Sequence, residues 1–96
     1  MTSYEFEKAA KKLVISRAAV LYGEHYTIEQ INMVWFAHVL GYKKAILIDS
    51  GDNKRIYEVT YNMGKDEFYV DTYEKQDNMK ASAVIFANED EMKTED

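Results

Sequence analysis

The spacing of the apolar residues changes once along this chain, near Lys43, and that change limits the folds available to it. Before Lys43 apolar residues recur every three to four positions, a spacing typical of helices that bury one face. After it they alternate with polar residues, which is typical of strands with one buried face. We therefore predict an α+β fold with two N-terminal helices packed on a three- to four-stranded antiparallel sheet.

The first predicted helix is bounded by signals at both ends. Thr2 followed by Glu5 is the pattern of a capping box, in which each side chain accepts the other residue's backbone N–H. Gly23 can adopt the left-handed backbone that ends a helix. We expect the helix to run from about residue 3 to residue 22.

The second predicted helix repeats these signals, with Thr27 and Gln30 at its start and Gly41 at its end. It is expected over about residues 28–40. A second apolar stripe on this helix contains Met33, Phe36 and Leu40. A helix that is apolar nearly all round lies between layers or against another chain, so a monomer that buries Phe36 and a homodimer through helix two both stay open.

Alternating and apolar runs after Lys43 predict the strands. The first strand is expected at residues 45–48, the second at 55–61 and the third at 67–73, with a hairpin loop over 62–66. An antiparallel meander is the simplest topology for them. Residues 81–86 are expected to form a fourth, edge strand or a short docking segment.

Size and composition favour one packed domain in a reducing compartment. We assign residues 1–86 to the domain and residues 87–96, which are rich in Asp and Glu, to a disordered tail. The chain has no Cys, which excludes disulfides, zinc–thiolate sites and thiol nucleophiles. No apolar run approaches membrane-spanning length, so we expect a cytoplasmic protein without a membrane partner.

Arg17 is the charge that most needs an explanation, because it falls between Leu13 and Val20 on the predicted apolar face of helix one. A guanidinium there needs a carboxylate or a route to solvent. It would form either an ion pair with a sheet carboxylate such as Glu58 or Asp71, or an anion-binding site at the seam between helix and sheet.

The sequence carries no recognisable catalytic or metal-binding motif. His25 and His38 are the only imidazoles and have no metal-binding spacing, and there is no phosphate loop or nucleophile elbow. A small enzyme would need Arg17, Glu58 and Asp71 to converge in one pocket. We predict a protein that is not an enzyme and needs no metal or cofactor.

The tyrosines of the predicted sheet favour a binding role. If the alternation is right, the four rings at 57, 61, 69 and 73 cannot all be buried on one face, and an exposed Tyr suits a binding surface. The interleaved carboxylates would repel phosphates, which favours a protein partner over nucleic acid. The predicted partner-binding residues are Tyr57, Glu58, Tyr69, Asp71, Tyr73, Phe36 and Arg17.

Three stretches also carry a resemblance: Val34-Trp35-Phe36, the run from Tyr57 to Asn62, and the alternating aromatic and acidic residues from Glu67 to Lys75. In them the chain resembles a family of small uncharacterised proteins from phages and prophages of Gram-positive bacteria, over roughly residues 27–76. The resemblance implies no activity and no catalytic residues. It implies expression inside a bacterial cell that a phage has entered.

Small non-catalytic phage proteins commonly act by occupying a host protein, and defence systems such as CRISPR nucleases are frequent targets. We therefore expect a binding protein that modulates a host or phage protein, for example as an anti-defence inhibitor. The alternative is a nucleic-acid or nucleotide binder, which would use the tyrosines together with Lys8, Lys11, Lys12, Lys43 and Lys44.

Overall fold

One long helix leads into four strands in the computed structural model, which describes residues 1–51 and 54–87. The elements are α1 (Ser3–Tyr22), β1 (Ile31–Val39), β2 (Tyr42–Asp49), β3 (Arg55–Asn62), β4 (Glu67–Glu74) and α2 (Ala83–Ala87). A single 3₁₀ turn, Ile28–Gln30, precedes β1. The strands form one antiparallel sheet in the order β1-β2-β3-β4, so the predicted α+β class and the meander are confirmed.

Both ends of α1 form as predicted. The Thr2 hydroxyl accepts the Glu5 backbone N–H at 3.1 Å, and the Glu5 carboxylate accepts the Thr2 N–H at 2.7 Å. Gly23 ends the helix with φ 66°, in the left-handed region, and donates its N–H to the Ala19 carbonyl at 3.0 Å. These contacts satisfy backbone groups that have no partner within the helix.

The predicted second helix over residues 28–40 is wrong. The capping box at Thr27 and Gln30 does form, but it heads only the 3₁₀ turn, and the chain continues as β1. Leu40 and Gly41 have φ values of 46° and 85° and make the two-residue turn of a β1–β2 hairpin. The sequence of β1 is rich in β-branched and aromatic residues, which fit a pleated surface better than a helix.

A β-bulge in β1 sets which side chains face α1. Met33 pairs with Leu47 and Trp35 with Ile46, so Val34 is an extra residue between them. After the bulge Phe36 points toward α1, where its ring centroid lies 5.5 Å from that of Phe6. Trp35 therefore lies on the opposite side of the sheet.

The core lies between α1 and one face of the sheet. The buried residues of α1 recur every four positions, and those of the central strands every two, as helix and strand geometry requires. They are Phe6, Ala10, Val14 and Ala18 from α1, and Ala45, Leu47, Tyr57, Val59 and Tyr61 from β2 and β3. Ala10 and Ala18, the two buried alanines of α1, have small side chains that let the helix pack closely on the sheet.

The remaining strand predictions have mixed outcomes. The three strands predicted after Lys43 are confirmed as β2, β3 and β4; β3 and β4 are each one residue longer than expected, whereas β2 extends beyond the predicted 45–48 at both ends. Of the two alternatives for residues 81–86, the fourth, edge strand is wrong, because the chain there forms the single helical turn α2 with every side chain exposed, while the docking segment stays a prediction. The predicted acidic tail lies, from residue 88 onward, outside the described residues. Neither helix in the described ranges is long and apolar enough to cross a membrane.

Candidate functional site

The sheet surface opposite α1 is the candidate site, and we call it the outer face. Neither helix in the described ranges covers the outer face, because α1 packs on the opposite surface of the sheet and α2 is exposed throughout. Strand alternation and the pairing register assign to it the apolar and aromatic residues Trp35, Ala37, Val39, Tyr42, Ile46, Ile48, Ile56, Tyr69 and Tyr73, and the polar residues Asn32, Lys44, Glu58, Thr60, Asn62, Glu67 and Asp71. A sheet with one packed face usually has a polar second face, so this apolar and aromatic composition is unusual.

Aromatic rings account for much of the exposed area of the outer face. Trp35 is 47% exposed, Tyr42 48%, Tyr69 46% and Tyr73 50%. Side chains of this kind combine a large apolar body with a polar group, and they are enriched in protein interfaces. The outer face is therefore suited to contact with another macromolecular surface.

On the β1–β2 half of the outer face the rings border a shallow groove of about 480 Å³. Its walls are apolar except for Lys44 and Thr60, and it ends at the exposed hairpin turn of Leu40. The groove is open along its length, so it can accept a side chain or a strand edge but does not enclose a small substrate.

The β3–β4 half of the outer face is acidic. Glu58 and Asp71 are directly opposed on neighbouring strands, a pairing of like charges that destabilises a sheet. Lys44 lies 3.7 Å from Glu58, whereas Asp71 has no ion pair within the described part of the chain. The nearby Glu58 carboxylate raises the pKa of the Tyr73 hydroxyl, and a hydrogen bond to Glu67 raises that of Tyr69.

The structure brings together four of the seven predicted partner-binding residues. Glu58, Tyr69, Asp71 and Tyr73 share the outer face, with the two tyrosines on either side of Asp71 along β4. This arrangement follows from strand alternation, which is why the sequence could locate it.

The other three predicted partner-binding residues lie on the α1 side of the sheet. Tyr57 is fully buried in the core, and Phe36 packs against Phe6. Arg17 belongs to α1 and is half-buried, with the sheet between it and both Glu58 and Asp71. The predicted ion pair of Arg17 with either carboxylate is therefore wrong. Arg17, Glu58 and Asp71 also do not meet in one pocket.

Trp35 of β1 and Tyr42 of β2 were not among the predicted partner-binding residues. Trp35, Val39 and Tyr42 line the groove, but the assignment of residues 28–40 to a helix hid their alternation. The run Val34-Trp35-Phe36 followed by Leu40-Gly41 was the available signal, since aromatic and β-branched runs next to a turn favour a hairpin.

A second polar cluster lies where the end of α1 meets the sheet. Arg55, only 9% exposed, pairs with the Glu24 carboxylate and has Asp49 at 3.9 Å, while the Tyr22 hydroxyl donates to Glu74 at 2.7 Å. Burial lowers the pKa of Arg55, but the hydrogen bonds to Glu24 and Tyr22 together with nearby negative charge outweigh burial, so the net pKa is raised. The guanidinium is thus already neutralised by protein carboxylates, which gives this cluster a structural role.

The lysines of the alternative nucleic-acid hypothesis do not converge. Lys43 is buried and donates to the Met1 carbonyl at 2.7 Å, whereas Lys44 lies on the outer face. Of the α1 lysines, Lys11 pairs with Glu7 at 3.0 Å, and Lys8 lies 5.2 Å from the centroid of the Tyr4 ring. The positive charge is therefore divided among three parts of the molecule.

Comparison with known proteins places the fold in a family. A family model matches residues 7–83, which includes most of α1 and all four strands. The chain belongs to the DUF6275 family, a family of unknown function. The outer face lies wholly within the DUF6275 match, whereas Val84, Ile85 and Phe86 lie beyond its end. No curated protein and no solved structure matches the chain.

Proposed function

We propose that this protein is a non-catalytic binding protein that modulates another protein by docking on it through the outer face. The observation that carries the proposal is the set of half-exposed rings at 35, 42, 69 and 73 on a sheet surface that no described helix covers. Exposed aromatic surface of this size is a feature of protein-binding sites rather than of an ordinary solvated sheet.

The charge of the outer face favours a protein over a nucleic acid. Glu58, Asp71 and Glu67 put three carboxylates beside the tyrosines of β4, against one outer-face cation, Lys44. Phosphates would be repelled by this surface, whereas a protein can place a Lys or Arg side chain between the carboxylates. The lysines of the nucleic-acid alternative provide no common surface, because Lys43 is buried, Lys44 lies on the outer face and Lys8 and Lys11 lie on α1.

The class of partner follows from the resemblance to phage and prophage proteins. In that setting the protein acts in the cytoplasm of the bacterial host, and its target is a host or phage protein. A component of a bacterial defence system is the target that best fits a small inhibitor without catalytic groups. This assignment rests on context, whereas the docking surface rests on the outer face itself.

An affinity experiment with matched variants tests the proposal. The full chain is immobilised and exposed to a lysate of a Gram-positive bacterium, and any retained protein is purified and titrated against the chain. The double variant Tyr69→Ala, Tyr73→Ala removes two central rings of the outer face. It should weaken binding by at least about tenfold, because a few buried aromatic residues dominate most interfaces.

Tyr4→Ala is the matched control, since Tyr4 is an exposed tyrosine of α1 on the other side of the molecule. Its affinity should equal that of the wild type. Circular dichroism confirms that each variant is folded. Equal affinity of the wild type and the double variant, or retention of no specific protein by the wild type, would exclude the proposed role of the outer face.

A further inference from the structure

The C-terminal segment from Met79 to Ala87 is the second uncovered apolar surface of this chain. Met79, Val84, Ile85 and Phe86 are all exposed, and α2 has no buried residue. An isolated helical turn of five residues is unstable in water, because too few hydrogen bonds offset the cost of nucleating it. A segment of this kind becomes ordered when its apolar side chains pack on another surface.

We infer that this segment is a strap that folds back over the outer face of its own sheet and competes there with the partner protein. This inference rests on the proposed function, since it assigns a means of regulation to the same surface. The closed form buries the apolar residues of the strap against the half-exposed rings and aliphatic residues of the outer face. Burying apolar area of the strap and of the outer face against each other is favourable, because both areas are then removed from water.

The connection between the sheet and the strap is long enough for this movement. Residues 75–78 form the connection and residues 79–82 the first part of the strap; all eight precede α2 and are exposed, and when extended they span up to about 27 Å. The outer face is about as long as that, since each strand of eight residues extends roughly 27 Å. Tyr73 lies at the end of β4 from which the linker leaves, so the nearest ring is within easy reach.

Charge and proximity both favour the chain's own strap as the occupant. Lys80 lies within the strap, and on closure it can approach Asp71, which has no ion pair in the described structure. A short tether gives the strap an effective concentration in the millimolar range, far above that of a second copy in dilute solution. A second copy would instead bring another set of outer-face carboxylates against the first.

The only tryptophan of the chain, Trp35, lies on the outer face and reports directly on closure. The full chain and the variant Val84→Ser, Phe86→Ser are compared by acrylamide quenching of Trp35 fluorescence at micromolar protein. If the strap is closed for most of the time, the variant should show a quenching constant about twofold higher. Its emission should also shift to longer wavelength.

Met63→Ser is the matched control, because Met63 is an exposed apolar residue in the β3–β4 loop, outside both surfaces. It should leave the quenching constant of the wild type unchanged. Equal quenching in the wild type and the strap variant would overturn the inference. So would a protection of Trp35 that increases with protein concentration, since that result identifies a second copy as the occupant.

These outcomes are separate from those of the affinity experiment. Loss of partner binding in the Tyr69→Ala, Tyr73→Ala variant, with no change of quenching in the strap variant, would retain the docking surface and exclude the strap. If both proposals hold, Val84→Ser, Phe86→Ser should bind the partner more tightly than the wild type, because the competing segment no longer docks.

Discussion

The Arg55 guanidinium lies over the ring of Tyr22, with its Cζ atom 3.7 Å from the ring centroid. This stacking joins the last residue of α1 to the first residue of β3. Glu24 and Asp49 complete the contact by pairing with the same guanidinium. Arg55 of β3 therefore links the end of α1 to the end of β2 at one end of the core. It does so through two ion pairs and through stacking on the Tyr22 ring.

Replacing Arg55 with Met should lower the free energy of unfolding by about 3 kcal/mol, because it leaves the buried Asp49 without a compensating charge. Urea unfolding followed by circular dichroism measures the change. Lys65→Met, in the exposed β3–β4 loop, is the control and should change stability little. A loss below about 1 kcal/mol for Arg55→Met would show that the cluster contributes little to the fold.

Replacing Tyr57 with Phe should raise the free energy of unfolding at pH 7 by about 1 kcal/mol, because the Tyr57 hydroxyl is buried and has no hydrogen-bond partner among the residues that the structure describes. The ring and its packing are retained in the variant. Urea unfolding measures the difference. Tyr61→Phe is the contrasting variant, since the Tyr61 hydroxyl donates to Asp66 at 2.5 Å, and its loss should destabilise the protein. Destabilisation by Tyr57→Phe would mean that the hydroxyl has a partner, such as a bound water.

The same substitution should also change the response to alkaline pH. Burial raises the pKa of Tyr57, so above about pH 10 the unfolded chain releases this proton while the folded chain retains it. The wild type should therefore lose stability as the pH rises through this range. Tyr57→Phe should lose less, and the advantage of the variant should be larger at pH 11 than at pH 8. An advantage that stays constant with pH would contradict this reasoning.

Local signals were sufficient to predict α1 and the strands β2, β3 and β4 from the sequence. Thr2 and Glu5 fix the start of α1 and Gly23 fixes its end, each through contacts within about one helical turn of that end. The alternation in β3 and β4 sets which side chains share a face, and a turn with Gly64 separates the two strands. Each of these features depends on residues close together in the chain.

The local signals in β1 conflict, because a hairpin pattern at Val34-Trp35-Phe36 and Leu40-Gly41 competes with a helix start at Thr27. Thr27 and Gln30 form the capping box that starts a helix, but after one turn the pairing of β1 with β2 outweighs helix propagation. The bulge at Val34 breaks the alternation that would have identified the strand. Because Trp35 lies just after the bulge, its place on the outer face depends on the sheet pairing and not on local sequence.

Which side of the sheet each tyrosine occupies also could not be predicted from local sequence alone. Alternation alone indicates that Tyr69 and Tyr73 share a face, but it does not say which face of the sheet α1 covers. That choice depends on long-range packing, since the α1 residues Phe6 and Val14 meet the sheet on the side of Tyr57. The four acidic and aromatic residues of the outer face were therefore predictable as a group, whereas the burial of Tyr57 was not.

The β1–β2 turn offers a last prediction, because Leu40 is 92% exposed and has a φ of 46°. A branched side chain in the left-handed region costs about 1 kcal/mol, whereas Asn tolerates it well. Leu40→Asn should therefore raise the free energy of unfolding by about 1 kcal/mol in urea titrations. Leu40→Ala removes the apolar side chain but keeps the unfavourable φ, so it should gain much less. If the two variants are equally stable, the gain in stability comes from loss of the exposed apolar side chain and not from relief of backbone strain in the turn.

The same Leu40→Asn variant also tests docking at the end of the groove. If it gains stability but binds the partner more weakly, the strained Leu40 is retained because its side chain contributes to docking.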